Sequence, residues 1–186
     1  HIACEKGNAE IVKLLLSRNE TNVTEKDRND WYPLHYACKQ GNVEIVKLLI
    51  ARNEVDVKTK TRYGRNSLHI ACEHAKVAVA KLLIAKAGAS IINTKDSRGK
   101  TPFLVACEKG KLNIVKLLIE RDDLDLFAKD RDGRDALFHS CAGKNVEIVK
   151  LLLSRGFDVT KNPFVIHEVC NNFGDPKILE LFVSFK

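Results

Sequence analysis

The sequence predicts an all-α solenoid of about five to six stacked units, each a pair of short helices, joined by hairpin loops. Three observations predict it. The six cysteines, Cys4, Cys38, Cys72, Cys107, Cys141 and Cys170, are separated by 34, 34, 35, 34 and 29 residues, a fixed period of the kind repeat architectures show. Around each cysteine one phrase recurs: HIACEKGNAEIVKLLL from His1, PLHYACKQGNVEIVKLLI from Pro33, SLHIACEHAKVAVAKLLI from Ser67, PFLVACEKGKLNIVKLLI from Pro102, ALFHSCAGKNVEIVKLLL from Ala136 and a looser VIHEVCNNFGDPKILELFV from Val165. Within each phrase the apolar residues follow helical spacing. A unit this small cannot bury its own apolar faces, so it needs a neighbour on either side.

The expected units are 1–26 (partial), 27–60, 61–95, 96–129, 130–157 and a divergent 158–186, forming a single array. In the first helix of a unit, Leu34, Ala37 and Cys38 stand at i, i+3 and i+4, on one face. The second helix runs Ile45, Val46, Leu48, Leu49, Ile50, an apolar stripe interrupted by Lys47. Asn8, Asn42, Asn145 and Asp175 stand where an N-cap opens this second helix, and Pro176 takes a first helical position. Asn19, Asn53 and Gly156 follow the apolar run and suit a left-handed C-cap. Turns come next: DRND at 27–30, RYG at 62–64, DSRG at 96–99 and DRDG at 130–133. The first helices open at Tyr32-Pro33, Asn66-Ser67, Thr101-Pro102 and Asp135-Ala136; Tyr32 cannot cap, so its helix is expected to start more weakly. The chain lacks Met and opens on His1 inside the phrase, which reads as a fragment of a longer protein. At the other end Phe182, Val183 and Phe185 are apolar where a terminal unit needs a polar face, so a further unit or a docking partner is expected there.

The phrase TPFLVACEKGKLNIVKLLI, led in by DSRGK, resembles the ankyrin repeat pattern D-x-x-G-x-T-P-L-H-x-A, and the resemblance runs over essentially the whole chain. The common period is 34 where that family has 33, and the extra residue falls after the second helix, as in RNETNV, RNEVDV and RDDLDL against RGFDV at 155–159. The resemblance implies an ankyrin-repeat solenoid that acts as a protein-binding scaffold. It also implies that the histidine before each cysteine bonds backbone groups near the adjacent hairpin.

Several chemistries find no support. No run of residues is long and apolar enough to span a membrane. His-x-x-Cys occurs at His1/Cys4, His35/Cys38, His69/Cys72 and His167/Cys170, but equivalent places in stacked units form a ladder rather than one metal site, and Leu104 and Phe138 hold the same slot elsewhere. The ladder spacing also exceeds the reach of a disulfide. A cysteine repeated in one core slot is a packing residue, which points to a reducing compartment, the cytoplasm first and the nucleus second. There is no Gly-rich phosphate loop and no serine elbow, so no cofactor, small-molecule substrate or catalysis is expected. The lysines Lys13, Lys47, Lys81, Lys116 and Lys150 read as a solvated helix face, helped by Glu10/Lys13, Glu44/Lys47 and Glu147/Lys150 at i, i+3.

The hairpin tips are more informative. Arg28, Arg62 and Arg131 occupy one column with Arg98 a step further, followed by Trp31, Arg65, Lys100 and Arg134. Trp31, with Tyr32 and Tyr63 nearby, is read as exposed. Arginine and aromatic residues dominate binding hot spots. The family resemblance adds exposed positions of the first helix: Tyr36, Lys39, Gln40, Glu73, His74, Glu108, Lys109 and His139. The plainer reading pairs the tip arginines with Asp27, Asp96, Asp130 and Asp132 as soluble turn material. The net charge of +7 favours an acidic protein partner, whereas the spread of charge along the chain argues against nucleic acid. The alternative role is a targeting or regulatory module of a larger enzyme or channel; an acidic lipid or nucleic-acid surface ranks third.

Overall fold

The computed structural model describes residues 1–18, 21–161, 163–168 and 175–184. Five helix pairs follow one another: α1 (Ile2–Lys6) with α2 (Ala9–Leu16), α3 (Pro33–Gln40) with α4 (Val43–Ile50), α5 (Ser67–Glu73) with α6 (Val77–Ala87), α8 (Pro102–Glu108) with α9 (Leu112–Ile119), and α10 (Ala136–Ala142) with α11 (Val146–Ser154). A short α7 (Ala89–Ile92) extends the third unit, and α12 (Pro163–Glu168) and α13 (Pro176–Ser184) follow the fifth. Among the described residues there is no strand, and no helix is long and apolar enough to cross a membrane. First helices pack on first helices and second helices on second, so each unit touches only its neighbours. The array is the all-α repeat solenoid that the cysteine period predicts.

One core runs the length of the stack, and it is built by repeating slots. Leu34, Leu68, Phe103 and Leu137 share one slot; Ile45, Val79, Ile114 and Ile148 share another, all nearly inaccessible. Cys38, Cys72, Cys107 and Cys141 are buried free thiols, and burial pushes each well above the usual thiol range, Cys141 to about 12. Cys170 lies outside the described residues. The histidines tie each first helix to the segment at the following hairpin: the Nε2 of His1, His35 and His69 lies 3.0, 3.1 and 2.9 Å from the carbonyls of Trp31, Thr59 and Lys100.

The caps depart from expectation in three places. Asn8 and Asn42 accept from the N–H of Ile11 and Ile45 at 3.0 Å, and Asp175 accepts from Lys177 N–H at 3.0 Å. Asn145 does not cap; its Nδ2 donates instead to the Cys107 carbonyl of the unit before, at 3.0 Å. The left-handed residue falls between the two helices of a unit, at Gly7, Gly41, Ala75, Gly110 and Lys144, because an abrupt antiparallel reversal needs positive φ there. After the second helix positive φ occurs at Gly88 and Gly156 among the described residues; α4 ends at right-handed Ala51, so Asn53 is no left-handed cap, and Asn19 lies outside the described residues. Of the first helices, Asn66, Thr101 and Asp135 cap as expected. Tyr32 gives no side-chain cap, but its N–H donates to His35 Nδ1 at 3.2 Å and Pro33 follows at the first helical position. The expected Glu44/Lys47 pair is replaced by a bridge between units, Lys13 to Glu44 at 2.6 Å. Phe182 is half-buried against the core and lines a cleft with Leu153 and Phe157, while Val183 is 73% exposed and Phe185 lies outside the described residues.

Candidate functional site

The hairpins between units form one continuous edge. Each is closed by a backbone bond across its base: the N–H of Asp27, Thr61 and Asp96 donates to the carbonyl of Trp31, Arg65 and Lys100 at 2.9 Å, and that of Asp130 to Arg134 at 3.0 Å. Successive hairpins are joined in turn, with Arg62 N–H to Asn29 O at 3.1 Å, Ser97 to Tyr63 at 2.9 Å and Arg131 to Arg98 at 3.0 Å. Gly64 and Gly99 permit this approach. Both have positive φ, and a Cβ at either would stand 2.9 Å from Ser97 N or 2.7 Å from Arg131 N.

The acids of the hairpins face inward. Asp27 Oδ1 accepts from the N–H of Asn29 and Trp31, Asp96 Oδ1 from Arg98 and Lys100, and Asp130 Oδ1 from Asp132 and Arg134, all at 2.8–3.0 Å. The second oxygen of Asp27 takes the Tyr36 hydroxyl at 2.6 Å, and that of Asp130 takes His139 Nε2 at 2.9 Å. Burial works against the Asp27 carboxylate, yet its hydrogen bonds together hold it below the usual range, and the same bond pushes Tyr36 up to about 12. Burial lowers His139 against the pull of Asp130. Behind the tips three cations are paired: Arg65 with Glu73 and Lys100 with Glu108, both at 2.8 Å, and Arg134 with Asp132 at 3.1 Å.

The tips themselves are different. Arg28, Arg98 and Arg131 are exposed and make no ion pair among the described residues, and the Arg62 guanidinium is bonded to the Arg28 carbonyl rather than to an acid. The expected pairing of hairpin arginines with Asp27, Asp96, Asp130 and Asp132 holds only after the tip, where Arg65 reaches Asp96 at 3.6 Å and Arg134 reaches Asp132; Arg28, Arg62, Arg98 and Arg131 pair with none of the four, whose oxygens go largely to backbone N–H groups and inward side chains. A second basic row stands behind the first. Lys26, Lys60, Lys95 and Lys129 each precede the hairpin's opening residue; Lys60 and Lys95 donate to the carbonyls of Lys95 and Lys129 at 3.3 and 2.8 Å, and Lys26 pairs with Asp30. This column is written in the sequence as a lysine directly before Asp27, Thr61, Asp96 and Asp130, and reading only the tips misses it.

Of the residues expected at the site, Arg28, Arg62, Tyr63, Arg98 and Arg131 are exposed at the tips, and Tyr63 keeps 63% of its surface. Tyr36, Lys39, Arg65, Glu73, His74 and Arg134 are half-buried on the adjoining face. Three expectations are corrected. Lys100 and His139 are buried, at 8% and 3%, since each closes a pair that supports its hairpin. Trp31 is half-buried, not exposed. Its ring packs on Tyr36 with centroids 5.0 Å apart, and Lys39 Nζ lies 5.8 Å above it, because the neighbouring helix offers an apolar seat. Tyr32 turns away from the tips to line a small cleft with Val23, Leu34 and Val55.

A family model described as ankyrin repeats, in three copies, matches residues 1–96 and 89–163. No curated protein matches the chain significantly.

Proposed function

Because the chain belongs to the ankyrin-repeat family, whose members are generally protein–protein interaction modules, we propose that it is a non-catalytic scaffold that grips an acidic protein through its hairpin edge. The observation that carries this reading is the division of charge along the hairpins. Their acids are spent inward on Tyr36, His139 and backbone N–H groups, which leaves Arg28, Arg98 and Arg131 facing solvent without partners of their own. A pre-formed edge of this kind supports binding by complementary shape and charge. The half-buried cluster of Trp31, Tyr36 and Lys39 adjoins it as an aromatic anchor. Buried free thiols fit the reducing interior of a cell, cytoplasm or nucleus.

The test is affinity capture from lysate with the parent chain beside a variant carrying Arg28→Ser, Tyr63→Ser, Arg98→Ser and Arg131→Ser. All four are exposed, so circular dichroism is expected to be unchanged. A protein partner held by the parent and lost by the variant supports the reading; a partner held equally by both removes the edge as the site. Binding through this edge is also expected to weaken as salt rises.

A further inference from the structure

We propose that the turns joining the paired helices of the second, third and fourth units form an anion site whose ligand is a compact, soluble group of two or more phosphates. The site goes beyond the functional reading above and does not depend on it.

A broken pattern in the sequence points to it. Asn8, Asn42 and Asn145 stand before the second helices of three units, and Asn42 both caps its own helix and bonds back to the unit before. In the third and fourth units the same place holds Lys76 and Lys111, and neither side chain caps. α6 and α9 thus open without the bond an asparagine gives, which leaves the positive ends of their dipoles uncompensated. A residue that forgoes a cap in a repeated slot marks a place where another demand prevails. The side chains show that demand. Lys76 lays its stem across the turn of the second unit, where a Cβ at Gly41 would stand 2.5 Å from Lys76 Cδ. Three successive units then converge on half-buried His74: its burial, with Lys39, Lys76 and Lys111, lowers the imidazole against the pull of Glu73. Lys109 is exposed in the same turn as Lys111. None of these four lysines makes an ion pair among the described residues, whereas Glu73 and Glu108, which end the adjoining first helices, are held by Arg65 and Lys100 at 2.8 Å.

The head groups and their surroundings select the ligand. The patch carries ammonium groups, point charges with three rotatable donors each, which suit the tetrahedral oxygens of a phosphate and lack the planar fork that best grips a carboxylate. Cations brought together from three units exceed the charge of one phosphate, about −2, so the fitting anion carries at least two. Between residues 33 and 119 the one exposed large apolar side chain is Tyr63, on a hairpin tip. The patch therefore offers neither an open aromatic platform for stacked bases nor an apolar wedge for a bilayer.

The experiment titrates the whole chain with sodium tripolyphosphate, inorganic phosphate and citrate at constant ionic strength, read by calorimetry and by the His74 ring signal in NMR. Tripolyphosphate is expected to bind about tenfold more tightly than either of the others. Saturation is expected to move the His74 titration upward, because an anion beside the ring stabilises the imidazolium. Lys76→Asn with Lys111→Asn restores the residue of the sibling units; it is expected to keep or raise the thermal midpoint while weakening tripolyphosphate by about tenfold. Full affinity in that variant overturns the site, as does equal affinity for citrate, an unmoved His74 or no binding. An equal loss in the hairpin variant Arg28→Ser, Tyr63→Ser, Arg98→Ser and Arg131→Ser moves the anion to the hairpin edge and also overturns it. Tighter binding of oligothymidylate assigns the patch to nucleic acid, and tighter binding of phosphatidylinositol bisphosphate vesicles than of inositol trisphosphate assigns it to a lipid; either overturns a soluble ligand.

Discussion

Ala75 and Lys144 occupy the left-handed step that Gly7, Gly41 and Gly110 occupy in the other units. A β-carbon there crowds the following carbonyl by about 1–2 kcal/mol, and the extra freedom of an unfolded glycine returns part of it. Ala75→Gly and Lys144→Gly are therefore expected to raise stability by about 0.5 kcal/mol each in urea unfolding; a loss at both positions would show that this step is not strained. The buried histidines make a second residue-scale case. His69 and His35 use both ring nitrogens in the neutral form, and burial, against the pull of their carbonyl partners, lowers each to about 4. Unfolding returns them to about 6.5, so between these values the unfolded chain binds more protons and stability falls as pH falls. Each contributes at most about 3 kcal/mol to that loss, which levels off below pH 4 or so. His69→Leu, the residue type that Leu104 brings to the same slot, is expected to shrink the drop in urea midpoint between pH 7 and 4.5. An unchanged drop would mean that His69 is not its source.

At the scale of elements, the asparagines at the second helices do more than a cap requires. Asn42 accepts from Ile45 N–H and also donates to the Gly7 carbonyl at 3.0 Å, so it starts α4 and ties the first unit to the second. Asn42→Ala is expected to cost about 2 kcal/mol, the sum of a lost cap and a lost bond between units. Asn145→Ala removes only the bond to Cys107 and should cost about half as much. Equal losses in a thermal melt would contradict that division of roles. The same pair explains a limit of sequence reading. Both asparagines sit at equivalent places in nearly identical phrases, yet which bond each makes is set by the carbonyl that the preceding unit presents.

Across the whole molecule, stability is a sum of units and the interfaces between them. Ile11 and Leu15 are 48% and 39% exposed where Ile45 and Leu49, in the same slots, are 0% and 1%. Amide exchange in α2 is expected to be faster than in α9, which is covered on both sides; equal protection would show that the array unfolds as one cooperative block. The edge that carries the proposed function is likewise a property of the assembled array. It exists only because adjacent hairpins bond to one another.

The sequence by itself determined the architecture. A period of 34 in the cysteines, helical spacing around them and Asp-rich turns between them admit one solution, since such units can bury their apolar faces only by stacking. It also pointed to the tip arginines, and the family resemblance implied the tie between the histidine of the cysteine phrase and the adjacent hairpin, which His1, His35 and His69 make. Only the tertiary structure decided which polar groups face inward. Lys100 and Arg98 stand two residues apart in the same turn, and nothing in their order says that one closes a buried pair with Glu108 while the other stays free. Burial and partnership are set by the folded unit and by its neighbours, through residues 8 to 35 positions away, as in Lys100 to Glu108 within one unit and Lys60 to Lys95 between two. Local pattern carries the fold because each unit repeats the same local solution; the charge left over for a partner is what remains after the folded units have satisfied their own polar groups and one another's.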